Sequence, residues 1–475
     1  MKRRRRRTRD RLNIPLDPPQ IDEHAMSEST PPSATTSRPW YQRIGPGLIT
    51  ACVVIGPGSI MTSSKTGATY GYSLSWIVVL AVLFMLVYTA LGAKIGVVSQ
   101  RSMGDLVREK AGRPLAGLIG LGVFFIAAAF QFGNNLGVHS AVEQLVGSRD
   151  VVHVAGESSI DWEKFAPVMI FNALSISFVF FAKNLYRVVE RLMMGFVGLM
   201  LLSFAVNLVF AQPDLAEFAS GFIPTLSSIR AVVTPDASAT AAGSDPVLVI
   251  LGLVGTTFVV AASFYQSYLV RQKGWNLEQL KDGLLDVRIG AAIMALITLM
   301  IMATSAASLR GQELGSVGDV AQQLRPLFGD KGLYLFCLGL FSAAYSSFIV
   351  NSMIGGFILS DGLGLGSKPD DIWTRLFTVL VLVTGMSVAL YVVHTGVKPV
   401  PAIVAAQAVT VIAAPLMAGT ILWLSNCKDI MGDHTNGIAV NIVAGVGFLV
   451  LLAMAANTAF NKVLPAVQAW AGGAA

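Results

Sequence analysis

Between residues 44 and 460 the chain carries eleven apolar stretches, at about 44–70, 73–98, 114–142, 164–183, 186–211, 246–272, 286–309, 332–361, 373–395, 399–426 and 437–460. A helix needs about 20 residues to cross about 30 Å of hydrocarbon. Each stretch reaches that length, and none shows period-two alternation. In lipid every backbone N–H and C=O must find a partner inside the protein, so these segments must be helices. The pattern predicts an all-α integral membrane protein of about eleven transmembrane helices. Composition excludes the other classes. Charged residues make up 13% and apolar residues 54%, whereas soluble domains carry about 25% charged residues. The 46 glycines suit helices packed closely in lipid.

The net charge of +6 is local and is not a nucleic-acid footprint. Residues 3–7 are all arginine, extended by Lys2, Arg9 and Arg11. Residues 1–40 read as a disordered basic cytoplasmic tail, and 41–475 as the transmembrane domain. No apolar leader follows the basic run, so no cleavable signal peptide is expected. Arg101, Arg108, Lys110 and Arg113 lie between the second and third spans. Lys183, Arg187 and Arg191 lie between the fourth and fifth, and Arg271, Lys273, Lys281 and Arg288 between the sixth and seventh. By the positive-inside rule these loops are cytoplasmic, the N-terminus is cytoplasmic and the C-terminus outside, in a plasma or inner membrane. Oligomeric state is not legible.

Cys52, Cys337 and Cys427 have no disulfide or zinc spacing. His24, His139, His153, His394 and His434 are scattered. There is no HExxH and no GxSxG, and GLGLGSK (362–368) lacks phosphate-loop spacing. Neither an enzyme nor a cofactor is implied.

Polar features inside the apolar stretches are few. Gly56-Pro57-Gly58-Ser59 interrupts the first span. Proline removes a donor, and unwound backbone is tolerated in lipid only beside protein or a water-filled cavity. That reads as a substrate site at a broken helix; the plain alternative is a proline kink. Lys65 follows about two turns later, either partnered at depth or snorkelling toward Tyr70 and Tyr72. Lys94 sits where a lysine snorkels. Gln131, Asn134 and Asn135 in the third span either line a path or bond neighbouring helices. The same pair of readings applies to Tyr265, Gln266, Ser267 and Tyr268, and to Tyr345, Ser346, Ser347 and Asn351.

The run GPGSIMTSSKTGATYGYSLSW (56–76) resembles the first-helix signature of the NRAMP family of divalent metal ion transporters. Pro57, Gly58, Thr62, Gly67, Ala68, Tyr70, Gly71, Tyr72, Ser73, Leu74 and Trp76 match it without a gap. LGAKIGVVSQ (91–100), FAVNLVFAQPDLAEFASGFIP (204–224), DVAQQLRPLFG (319–329), FCLGLFSAAYSS (336–347) and IMGDHTN (430–436) are similar to later family stretches in the right order. The resemblance implies a LeuT-like fold, two inverted five-helix repeats plus an eleventh helix, and a secondary transporter of metal ions.

The departures fall on the family's chemistry. Its first-helix Asp and Asn fall on Gly56 and Ser59. Its sixth-helix Ala, Met, Pro and two His fall on Thr256, Val259, Val260, Ala261 and Gln266. The acids tied to proton transfer fall on Gln131 and Asn134. One tenth-helix Gln falls on Ala413, while Gln407 and Pro415 remain. The sequence leaves open whether the sixth helix unwinds. Manganese or iron(II) selectivity calls for anionic oxygen with a soft or nitrogen donor, so an altered substrate site is expected. Three readings follow. A cation passes carbonyls of Ile55, Gly56, Thr256 and neighbours, with Ser59, Gln131 and Asn134 as neutral ligands; Val259 and Gln407 are counted with the substrate-binding set. A neutral or anionic solute is drawn by Lys65. Or a non-transporting sensor keeps the fold.

Overall fold

The computed structural model describes residues 55–146, 162–181, 185–233, 246–321 and 330–465. The basic tail, the first half of the first span, Cys52, His24 and His153 lie outside these residues. The first half of the chain folds into α1 (Pro57–Tyr70), α2 (Ser75–Ser99), α3 (Met103–Ala111), α4 (Arg113–Val146), α5 (Trp162–Phe181), α6 (Leu185–Ala211), α7 (Leu215–Ser220) and α8 (Leu226–Val233). The next segment gives α9 (Pro246–Thr257), α10 (Val260–Gln272), α11 (Leu277–Ser308), α12 (Val317–Ala321) and α13 (Asp330–Leu363). The last gives α14 (Ile372–Thr395), α15 (Pro399–Val409), α16 (Ala414–Leu424), α17 (Lys428–Met431) and α18 (Ile438–Thr458). No strand occurs among the described residues.

By length and composition eight segments can cross a membrane: α2, α4, α9 with α10, α11, α13, α14, α15 with α16, and α18. Eleven spans are expected from hydropathy, and the other three have simple explanations. The first is described only from Ile55. The apolar stretches of α5 and α6 are shorter, at Lys164–Phe180 and Leu201–Ala211.

Burial sorts the helices. The α9–α10 span and α13 are almost wholly enclosed, whereas α14 and α18 turn most of their surface outward. That outer surface is apolar, with Leu376, Leu380 and Tyr391 on α14, and Ile438, Ile442 and Leu449 on α18. A water-exposed protein does not keep such continuous apolar faces; a lipid-facing one does. Inside, α13 runs along α4, α10 along α2, α11 along α1, and α9 along α15. Small residues allow the approach. A Cβ on Gly92 would stand 2.2 Å from the Ser263 carbonyl oxygen, and one on Gly67 would stand 2.2 Å from that of Met302.

One face of the molecule is basic. There Lys94 Nζ donates to the Thr435 carbonyl at 3.3 Å, and Lys110 Nζ pairs with Asp429 at 2.9 Å. The Lys110 bond holds the Asp429 carboxyl below its usual range. The GLGLGSK stretch ends α13 at this face. Gly364 and Gly366 have φ of 77° and 144°, and the Leu365 N–H returns to the Ser360 carbonyl at 2.9 Å. Its glycines therefore serve a helix C-cap, where a positive φ is needed. The opposite face carries Glu217, Glu313 and Asp319.

Candidate functional site

The start of α1 and a break in the sixth span meet in the middle of the structure. In the first span α1 begins at Pro57, and Gly56 is extended (φ −136°, ψ 179°). The chain bends at 55–56, and the helix opens at the proline. Proline at the first helical position loses nothing, because that N–H has no intrahelical partner anyway. Ser59 closes the start. The Gly56 N–H donates to Ser59 Oγ (3.1 Å), and that hydroxyl donates to the Gly56 carbonyl (3.0 Å). The Ser59 hydroxyl is therefore committed to its own helix start. Ile55 is buried beside it.

The sixth span is broken. α9 ends at Thr257, Val259 leaves helical geometry (φ −80°, ψ 86°), and α10 begins at Val260. The last ladder bond runs from the Phe258 N–H to the Val254 carbonyl at 2.7 Å. The carbonyls of Gly255, Thr256 and Thr257 then lie past the end of that ladder. No proline enforces this break. Four of the five residues 256–260 are β-branched, which lowers helix propensity. Phe258 is drawn aside to pack on Phe84 and Tyr88, with ring centroids 5.7 and 5.3 Å away.

Thr62 and Thr256 bring α1 against α9. Their hydroxyl oxygens are 3.3 Å apart, and each donates to its own helix, to the carbonyls of Gly58 and Gly252. Val259 is buried in a small apolar space that Ile126, Phe130, Thr410 and Met417 also line. Met417 is the thioether nearest this break in that lining.

Gln407 is fully enclosed on α15 between α1 and α4. A Cβ on Gly58 would stand 2.6 Å from its amide nitrogen, and one on Gly133 would stand 3.0 Å from it. Neither its Nε2 nor its Oε1 has a hydrogen-bond partner among the described residues. Leaving such a group unpaired costs about 1–3 kcal/mol. An orphaned buried amide beside an unwound helix is the feature of this site that packing alone does not explain.

The third-span amides form a separate seam. Gln131 Nε2 donates to the Phe348 carbonyl (2.5 Å), and Asn134 Nδ2 to Gln131 Oε1 (2.9 Å) and Ser347 Oγ (3.2 Å). Asn351 Nδ2 donates to the same Ser347 at 2.7 Å. Asn135 bonds back to the Gln131 carbonyl and accepts from Asn172 at 2.6 Å. These side chains tie α4 to α13 and α5. Only the edge of the seam touches the breaks: a Cβ at Gly56 would stand 2.8 Å from Ser347 Oγ and 3.1 Å from Asn134 Oδ1. A carboxylate at position 56 has no room unless that pair moves.

Lys65 is brought to neither break. It lies eight residues past Pro57, about 12 Å along α1, and is wholly buried, so it does not snorkel to the surface. Tyr265 and Tyr268 pack on Phe357 at 5.6 and 5.7 Å, and Ser267 bonds its own helix. Tyr345 packs on Phe171 and Phe341.

Sequence reasoning passed over Asp361. It is buried at the basic face and accepts from Ser102 Oγ (2.7 Å), the Gly104 N–H (2.7 Å) and Tyr268 Oη (2.5 Å). Arg108 donates to its main-chain carbonyl and lies 3.8 Å from its carboxylate. A lone Asp closing an apolar span just before a glycine cap was the available signal. No group of three or more His, Cys, Asp or Glu able to hold a metal occurs among the described residues. The donors at the breaks are neutral oxygens.

Residues 47–461 match the Nramp family, described as natural resistance-associated macrophage protein-like. The chain is 24% identical over 421 residues to a divalent metal cation transporter, MntH, of Deinococcus radiodurans, covering 86% of this chain and 88% of that protein. It is 27% identical over 429 residues to the MntH of Verminephrobacter eiseniae, covering 88% of each. Its fold is similar to a manganese transporter of Eremococcus coleocola, solved with an aromatic bis-isothiourea compound. The TM-score is 0.71 at 18% identity, covering 88% of this chain and 86% of that one. The break between α9 and α10 in the sixth span fits the LeuT-like fold, with α18 as the added helix. This integral membrane chain belongs to the Nramp family.

Proposed function

We propose that the protein carries an oxygen-seeking dication such as magnesium, still partly hydrated, through the gap between the start of α1 and the break in the sixth span. The observation that carries this reading is the Gln407 amide, buried beside the start of α1 with no hydrogen-bond partner among the described residues. Membership of the Nramp family makes the cargo a metal ion, in preference to a neutral or anionic solute or to a sensing role. The donor set then narrows which metal. Main-chain carbonyls, the Gln407 amide and the threonine hydroxyls are hard, neutral ligands. Hard donors suit magnesium and calcium, whereas manganese selectivity draws on nitrogen or soft donors. A bare dication without a counter-charge is very costly to bury, so the ion keeps several waters and binds weakly.

The test is uptake into proteoliposomes of magnesium, calcium and manganese, each alone and in competition. Magnesium flux saturating on the order of 1 mM is expected, with manganese no better than a comparable competitor. Absence of flux for all three metals, or manganese preferred at micromolar concentration, defeats the reading.

The same reading assigns the sides. By the positive-inside rule the face with Arg101, Arg108, Lys110 and Arg271 is cytoplasmic, which places the N-terminus inside and the C-terminus outside. A cysteine at exposed Asp429 (Asp429→Cys) should react with a membrane-impermeant thiol reagent only in inverted vesicles. Reaction in intact cells would reverse the assignment.

A further inference from the structure

At the basic face an open groove of about 580 Å³ runs between α16 and α18, lined by Gly419, Leu422, Trp423, Asn426, Cys427 and Phe448. Positions 419, 422, 423 and 426 keep the three- and four-residue spacing of one helix face, so one stripe of chain forms that wall. Gly419 makes the hollow: even a Cβ there would stand 3.2 Å from the Phe448 ring. The other wall, α18, is the least enclosed of the candidate spans. The groove changes character along its length. Gly419, Leu422 and Phe448 make its inner part apolar. Asn426 and Cys427 make its mouth, just past Leu424, where the span closes. Trp423 is 40% exposed on the rim, as tryptophans are at headgroup level.

The mouth carries an excess of positive charge. Lys428 directly follows Cys427, is exposed, and makes no ion pair among the described residues. Its neighbour Asp429 is already answered by Lys110 at 2.9 Å, and Lys94 bonds the Thr435 carbonyl of the same turn. Three lysines thus stand against two carboxylates, Asp429 and Asp433. Asn426 is fixed by a reciprocal amide pair with Asn441, 2.9 Å in each direction.

We infer that this groove seats one anionic phospholipid from the leaflet at the basic face. An acyl chain lies along Gly419, Leu422 and Phe448, and the phosphate sits at the mouth beside Lys428. A phospholipid is apolar along its length and charged at one end, the same order as the groove wall. A second copy of this chain would fill the apolar part but would offer Lys428 no anion. The seat is independent of the cargo carried.

The experiment is native mass spectrometry of the detergent-purified wild type, Lys428→Gln and Gly419→Leu, with phosphatidylglycerol or zwitterionic phosphatidylethanolamine added. The wild type is expected to retain one phosphatidylglycerol in preference to phosphatidylethanolamine. A lysine near an anionic headgroup is worth about 1 kcal/mol, so Lys428→Gln is expected to weaken phosphatidylglycerol binding about fivefold and leave phosphatidylethanolamine unchanged. Gly419→Leu fills the apolar part and should lose both. Cys427, a free thiol in the lining, gives a second reading that needs no groove-filling variant. Its alkylation by N-ethylmaleimide, followed on its own peptide, should slow when phosphatidylglycerol is added to delipidated wild type. Equal retention of phosphatidylglycerol by wild type and Lys428→Gln, or Cys427 alkylation that the lipid leaves unchanged, overturns the inference. So does a lipid-free dimer that Gly419→Leu splits, because a second copy then covers the groove.

Discussion

Replacing Gln407 with leucine is expected to make the protein more stable and to stop it transporting. The two effects have one cause. Both polar atoms of this amide are buried without a hydrogen-bond partner among the described residues, and an apolar side chain of similar size removes that burden. The gain is about 1–3 kcal/mol, read as a higher melting temperature in detergent. Transport responds in the opposite direction, because leucine offers the ion no oxygen. Losing one good oxygen donor to a charged group is worth about 1.5–3 kcal/mol, a fall in flux of about 10- to 100-fold. Gln407→Glu separates donor from charge: it restores an oxygen and adds the counter-charge the site lacks, so tighter dication binding is expected. If Gln407→Leu melts lower and transports normally, the amide is a packing residue and the proposed site is misplaced.

Hydropathy made the spans legible because a run of about 20 apolar residues has few other uses. The start of α1 was legible too, since Gly56-Pro57-Gly58 carries its own backbone chemistry and Pro57 opens the helix. The sixth break was not. Val259 and Val260 carry no glycine or proline signal, and the helix yields there because Phe258 leaves the helix axis for Phe84 and Tyr88, which are distant in sequence. The β-branched run 256–260 was the local hint. Gln131 and Asn134 were legible as buried amides but not as members of a seam with Phe348 and Ser347, because hydrogen-bond partners across helices leave no trace in one segment. For Ser59 the reverse holds. Its partner is Gly56, three residues away, a spacing that a capping box makes readable.

Asp361→Ala is expected to produce the largest loss of stability in the chain. The carboxylate gathers donors from two helices, Ser102 and Gly104 at the start of α3 and Tyr268 near the end of α10, and Arg108 of α3 lies 3.8 Å from it. It thus joins α3, which links the second and third spans, to the ends of the sixth and eighth spans at the basic face. Alanine leaves the Gly104 N–H and the Tyr268 and Ser102 hydroxyls buried without their acceptor. Breaking a buried charged network of this kind costs about 3–5 kcal/mol. Asp361→Asn keeps the shape and one acceptor oxygen but aims an N–H₂ at a donor, so an intermediate loss is expected. Tyr268→Phe, which removes a single hydroxyl from the set, should cost about 1–2 kcal/mol. The ordering wild type, Tyr268→Phe, Asp361→Asn, Asp361→Ala in melting temperature is the measurement. An Asp361→Ala protein that melts with the wild type would show that α3 is held by packing of Met103, Leu106 and Val107 alone, the buried apolar residues of that helix.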